Sequence, residues 1–301
     1  MSNWILSCWV LLTTSPTKFV ISIHLNESRM ATGRNYSSNQ SYCSRGKPTS
    51  HSDNDYYKED FTMANYNYGD YEEVAPENIN ESHMPVLIAG DISGSMADLP
   101  IQNVNKSINR FASDVCKDPK AAGRVDVAVI GFNDAPHIEQ NWRPITEMNQ
   151  VNFVAGGGTN ISAALEKGVE MLRERGHLYE DVGIEVKMPY LILITDGYGG
   201  DVTEIAKVIK QRTADRKMKL WVLAVKGYDK ESVAQLTDGK RVFELVNEDG
   251  YDFSEFFDFM AVSVKAVSTS APGQDTVSVK SNIGREGSTC RVPDLDAWLN
   301  D

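Results

Sequence analysis

Five oxygen-bearing side chains in this sequence have the types and spacing to hold a metal ion. Asp91, Ser93 and Ser95 alternate in the run D-I-S-G-S, so a turning backbone can aim all three at one locus. Thr159 follows three successive glycines, Gly156 to Gly158, and Asp196 follows the apolar run Y-L-I-L-I-T. Carboxylates and hydroxyls are hard donors, so the expected ion is Mg2+ or Mn2+ rather than a thiolate-seeking metal. A donor set with so few charges leaves one coordination position to water or to a ligand's carboxylate. The neighbouring glycines let the backbone approach the ion closely. Singly these pieces are commonplace: Ser-Gly-Ser is usually a turn, a glycine triplet a connector, and Thr-Asp-Gly the end of a strand. Their joint occurrence, in this order and each after a predicted strand, is far more specific.

The elements that must position these residues are legible from hydrophobic pattern. Pro85 to Gly90 is a short apolar run ending at Asp91, as expected of a buried strand. Ile101, Val104, Ile108, Phe111 and Val115 then recur at helical spacing, and Asp98 stands where a helix N-cap belongs. Val125 to Phe132 reads as a strand, and His137 to Met148 as containing an edge strand. Ile161, Leu165, Gly168 and Leu172 mark one helical face, and Tyr190 to Thr195 the most apolar strand. Helices are expected over Val202 to Arg216, Lys230 to Leu236 and Tyr251 to Val267, with strands over Leu220 to Val225 and Val242 to Val246. Strands alternating with helices predict a doubly wound α/β fold, with a mostly parallel sheet of about six strands and helices on both faces. In such sheets, sites form beyond the carboxyl ends of the strands.

With these elements in place, D-I-S-G-S at Asp91 to Ser95, G-G-T at Gly157 to Thr159 and I-T-D-G at Ile194 to Gly197 resemble the metal-ion-dependent adhesion site (MIDAS) of von Willebrand factor A (VWA) domains. V-A-V-I-G-F-N-D, Val127 to Asp134, resembles that family's second strand and its exit. The overall texture is similar to the tellurium-resistance TerY-type members. The resemblance implies a Rossmann-like fold and a metal held by Asp91, Ser93, Ser95, Thr159 and Asp196, with hydroxyl oxygens from the serines and the threonine. It further implies a non-enzymatic, cytoplasmic interaction module in a tellurite or stress-response system, whose protein partner supplies an acidic side chain to the metal. A neighbouring second metal site would need two consecutive acids; here Asp98 is followed by Leu99, so none is expected.

Other chemistries fit less well. A magnesium-dependent phosphatase would need an acid two residues after Asp91, where Ser93 stands. A serine hydrolase elbow needs G-x-S-x-G, and Gly90-Asp91-Ile92-Ser93-Gly94 has one residue too many before the serine. Of five histidines, three lie before residue 84, and His137 and His177 read as surface residues. There is no G-x-x-x-x-G-K-[ST], and a net charge of -12 with no basic run argues against nucleic acid. A structural VWA domain with a vestigial metal site stands as the remaining alternative.

Domain organisation is expected as follows. Residues 1–83 form a polar, low-complexity segment without enough apolar surface to order, 84–270 the domain, and 271–301 a flexible acidic tail. Trp4 to Thr13 is apolar but too short to span a membrane, lacks a basic flank, and leaves Met30 and Met63 as alternative starts. Cys8, Cys43, Cys116 and Cys290 show no zinc spacing, and Cys116 is expected to be a reduced helix residue. Leu295, Trp298 and Leu299 suggest a docking peptide or a solvated tail.

Overall fold

A computed structural model of the chain describes residues 75–196, 199–225, 227–237, 240–246, 251–271, 274, 281 and 283–293. The expectations for the segment before residue 75 and for Trp298 lie outside the described residues. Seven strands form one sheet: β1 (Met84–Asp91), β2 (Val125–Phe132), β3 (Pro136–Pro144), β4 (Tyr190–Thr195), β5 (Lys219–Ala224), β6 (Val242–Leu245) and β7 (Cys290–Arg291). Their order is β3-β2-β1-β4-β5-β6-β7. The five inner strands are parallel, and β3 and β7 pair antiparallel at the edges.

The strands read as continuous apolar runs because both faces of the sheet are covered. Along β1, Met84, Val86 and Ile88 face α1 (Leu99–Cys116) and α6 (Ser254–Ser268), while Leu87 and Ala89 face α3 (Ile161–Asp181). α4 (Thr203–Ala214) and α5 (Lys230–Thr237) cover the α3 face further along. The short α2 (Pro119–Ala122) is N-capped by Asp118, which accepts from the amides of Lys120 and Ala121. The expected stripe on α1 is buried in full.

Three expectations need correction. Asp98 occupies the N-cap position of α1, but its side chain makes no capping bond and its φ is 66°. The helix start there is set instead by Pro100 in its first turn. Second, Cys290 and Arg291, within the stretch expected to be a tail, add a seventh strand to β6, and Cys290 is fully buried. A two-residue strand leaves no periodicity to read. Its register comes from the Glu255 carboxylate, which accepts from the Thr289 amide at 2.7 Å and the Ser288 hydroxyl at 2.7 Å. Third, His83, expected to lie outside the domain, is fully buried.

His83 belongs to a polar knot at the amino ends of the strands. Its Nδ1 donates to Asp126 Oδ2 at 3.0 Å, Arg175 Nη2 lies 3.3 Å from the same oxygen, and the Tyr179 hydroxyl donates to it. The Arg175 guanidinium also lies over the Trp142 ring, 5.9 Å from its centre. Burial works to raise the Asp126 pKa, but the His83 hydrogen bond and the Arg175 charge outweigh it and hold the carboxyl below its ordinary range. A depressed folded-state pKa contributes stability that is present above the ordinary value of about 4 and lost as pH falls through the folded value. Removing one member strands a buried charge, so Asp126→Asn should cost about 3–5 kcal/mol in urea unfolding at pH 7. The gap between wild type and variant should narrow as pH drops below about 4. An equal gap at pH 7 and pH 3 would contradict this role.

Candidate metal centre

β1 connects onward to β2 on one side, whereas β4 lies on its other side, so the strand order reverses between β1 and β4. A crevice opens at such a reversal, beyond the carboxyl ends of the strands. Asp91 ends β1 and Asp196 follows β4 directly, which brings the two carboxylates to the two walls of that crevice.

Asp91 is fully buried. Its Oδ1 accepts from the Ser93 amide at 2.9 Å, and its Oδ2 accepts from the Thr195 hydroxyl at 2.9 Å. A 3-10 turn over Gly94–Met96 folds the next residues back, so the Ser93 and Ser95 hydroxyls lie 2.9 Å apart. Ser93 is buried and Ser95 exposed, so the pair runs from the interior to solvent. Burial pushes the Asp91 carboxyl up to about 6, and the nearby Asp196 charge pushes the same way against the bonds from Ser93 and Thr195. Burial also raises Asp196, opposed by hydrogen bonding with Ser95 and Asp91. Among the described residues, no Lys, Arg or His is among the groups that weigh most on either carboxyl. A buried carboxylate repelled by a half-buried neighbour, without a cationic partner among the described residues, is costly unless protonated or bound to a cation.

The Thr159 loop is joined to this turn by backbone bonds. The Gly94 amide donates to Gly157 O at 3.0 Å, and the Gly156 amide to Ile92 O at 2.7 Å. The Gly158 amide donates to Asp134 Oδ1 at 3.1 Å. Gly157 has a φ of 83°, and a Cβ there would stand 2.6 Å from Asp134 Oδ2, so glycine is required twice over. Thr159 itself is half-buried, and among the described residues no hydrogen bond links its side chain to the other four. The next residue, Asn160, caps α3 by accepting from the Ala163 amide at 3.1 Å. The structure thus joins Asp91, Ser93, Ser95 and Asp196 by side-chain contacts and brings Thr159 in through its loop.

The donor set fits a hard divalent ion by its chemistry: two carboxylates, three hydroxyls and no soft ligand. Among the described residues no three His, Cys, Asp or Glu side chains cluster. A site here therefore depends on the hydroxyls. Sequence reasoning missed Thr195, whose hydroxyl orients Asp91, and the loop supports Asn133 and Asp134. His137 and His177 are exposed, as expected of surface residues.

The sequence model of the von Willebrand factor type A domain matches residues 86–258, more than half of the chain, and the chain belongs to that family. Among solved structures, the chain is similar to the PilB minor pilin of Streptococcus sanguinis (14% identity, 62% of each chain covered, TM-score 0.43). It is also similar to the pilus adhesin SpaC of Lactobacillus rhamnosus GG in its open conformation (15% identity, 64% of this chain and 31% of that one, TM-score 0.48). A third is proximal thread matrix protein 1 of the mussel byssus with a zinc-occupied MIDAS motif (17% identity, 60% of this chain and 45% of that one, TM-score 0.42). The chain thus spans less than two thirds of each of these proteins. No curated protein sequence matches it. Among the described residues no helix is long and apolar enough to cross a membrane.

The raised Asp91 pKa has a consequence for the metal-free protein. A carboxyl whose folded pKa exceeds its unfolded value destabilises the ionised fold, and stability rises as pH falls through about 6 toward 4. Metal-free Asp91→Asn should therefore be more stable than wild type at pH 7, by about 1–3 kcal/mol. The advantage should shrink at pH 5. A variant less stable than wild type in EDTA at pH 7 would contradict the uncompensated charge.

Proposed function

We propose that this chain is a non-enzymatic, metal-dependent protein-binding module. Asp91, Ser93, Ser95, Thr159 and Asp196 would hold Mg2+ or Mn2+, the aspartates binding directly or through water. A partner protein's Asp or Glu would complete the coordination shell. The observation that carries this reading is the buried Asp91 carboxylate beside the half-buried Asp196 at the strand-order reversal, with no basic side chain prominent among the described groups acting on them and with hydroxyls that reach solvent at their border. A divalent ion would remove their mutual repulsion, yet two aspartates leave it electrophilic enough to attract a third carboxylate. Apolar surface for a partner lies close in sequence to the site's loops: Leu99 is 45% exposed and Val154 75%.

A hydrolytic role has less support. Ser93 stands where a phosphatase would carry its general acid, and its hydroxyl is engaged with Ser95. The finer placement rests on the resemblance in sequence texture to TerY-type proteins. It puts the module in a cytoplasmic tellurite or stress-response system, where assembly with other proteins is its task.

Calorimetric titration of the full chain with Mg2+ and Mn2+ tests the metal site. The wild type should bind one equivalent saturably, and Asp91→Ala and Asp196→Ala should each lose binding. Native partners captured on the wild-type chain should be released by EDTA and regained with Mn2+. No saturable binding by the wild type, or binding by both variants equal to the wild type's, would make the site a vestige.

A further inference from the structure

The chain between Glu147 and Asn160 carries Thr159 but joins no strand of the sheet. The backbone groups of Val151 and Phe153 are instead claimed by side chains of α1. Asn109 accepts from the Val151 amide at 2.8 Å and donates to Val151 O at 2.9 Å. Asn105 does the same to Phe153, accepting at 2.8 Å and donating at 3.0 Å. Each asparagine therefore acts as a substitute β-strand partner for one residue. The spacings are close enough for both pairs of bonds to form, since one helical turn separates side chains by about 5–6 Å and two extended residues by about 6.5–7 Å. The pairing runs antiparallel: moving toward the start of α1 moves along the segment toward the glycines. Both chains therefore converge on the metal centre.

The segment is also seated from below. Gly90 and Gly131 are register partners on β1 and β2, and the Phe153 ring lies over both. A Cβ at Gly90 would stand 2.5 Å from Phe153 Cε2. Beyond Phe153, Asn133 Nδ2 donates to Gly156 O at 2.9 Å, which continues the side-chain scaffold to the glycine loop.

We infer that Asn105 and Asn109 are positioning residues for the metal centre, fixing through the Val151–Phe153 backbone the loop that delivers Thr159. This rests on the metal-site reading above. Without the two amides, the loop would keep its bonds at Gly156 to Gly158 but lose the register of the chain that feeds it. Metal affinity would fall although no ligand is changed.

The test is Mn2+ titration of the full chain as wild type, Asn105→Ala, Asn109→Ala and, as control, Asn103→Ala, each with its metal-free melting temperature. Asn103 lies on the same helix but donates to Tyr251 O, away from the loop. Asn105→Ala and Asn109→Ala should weaken Mn2+ about 10-fold or more, as loss of supporting partners commonly does. Asn103→Ala should bind as the wild type does, even if its melting temperature falls as far. Wild-type affinity in both loop variants, or losses in all three that follow melting temperature alone, would overturn the inference. No binding by the wild type would instead defeat the metal site itself, and the inference with it. Should either loop variant fail to fold, amide exchange in the wild type decides: Mn2+ should slow exchange at Val151 and Phe153. Unchanged exchange there while the metal binds would overturn the positioning role.

Discussion

The organising constraint in this domain is the negative charge buried where β1 and β4 end. Asp91 is sealed from solvent and has Asp196 beside it, with no basic group prominent among the described residues acting on either. Such a pair opposes folding by mutual repulsion and by loss of hydration. Its neighbourhood consists of groups that tolerate or use that charge. The Ser93 amide and the Thr195 hydroxyl donate to Asp91. Glycines let the loops close around it, and the surrounding segments are held by polar bonds.

The opposite end of the sheet is built on a contrary principle. There Asp126 is equally buried, but its Oδ2 is met by His83, Arg175 and Tyr179, so its charge is countered inside the protein. α3 links the two ends. Its start follows Thr159 and is capped by Asn160, and its later turns supply Arg175 and Tyr179. A carboxylate countered by a buried cation is held inside the protein, whereas one without such a counter-charge is available to a ligand. The contrast between two buried aspartates in one sheet separates a structural role from a candidate functional one.

Most of the fold was legible because parallel strands covered on both faces read as unbroken apolar runs. Val125–Phe132 and Tyr190–Thr195 have the boundaries that pattern implies. The helices were legible from stripes such as Ile101 to Val115 on α1. What escaped was polar. His83 and Arg175 are core residues, but only Asp126 makes them so, and pairing over that distance in sequence leaves no local pattern. Cys290 and Arg291 join the sheet through two residues and a carboxylate clamp. Asn105 and Asn109 look like solvated positions on a helix, and one-turn spacing of asparagines carries no meaning until an extended segment is seen beside them. Four of the five proposed ligands lie close together by side-chain contact, Asp91 and Asp196 from strand ends and Ser93 and Ser95 from the turn after β1. Thr159 is joined only through its loop, and the network that holds that loop was not legible.

Crystals of the full chain soaked in Mn2+ and measured at the manganese absorption edge test the central claim most directly. The account predicts one strong anomalous peak bounded by Asp91, Ser93, Ser95, Thr159 and Asp196, with one coordination position filled by water or by a neighbouring carboxylate. A fully occupied peak elsewhere, or none at this centre at saturating Mn2+, would contradict it.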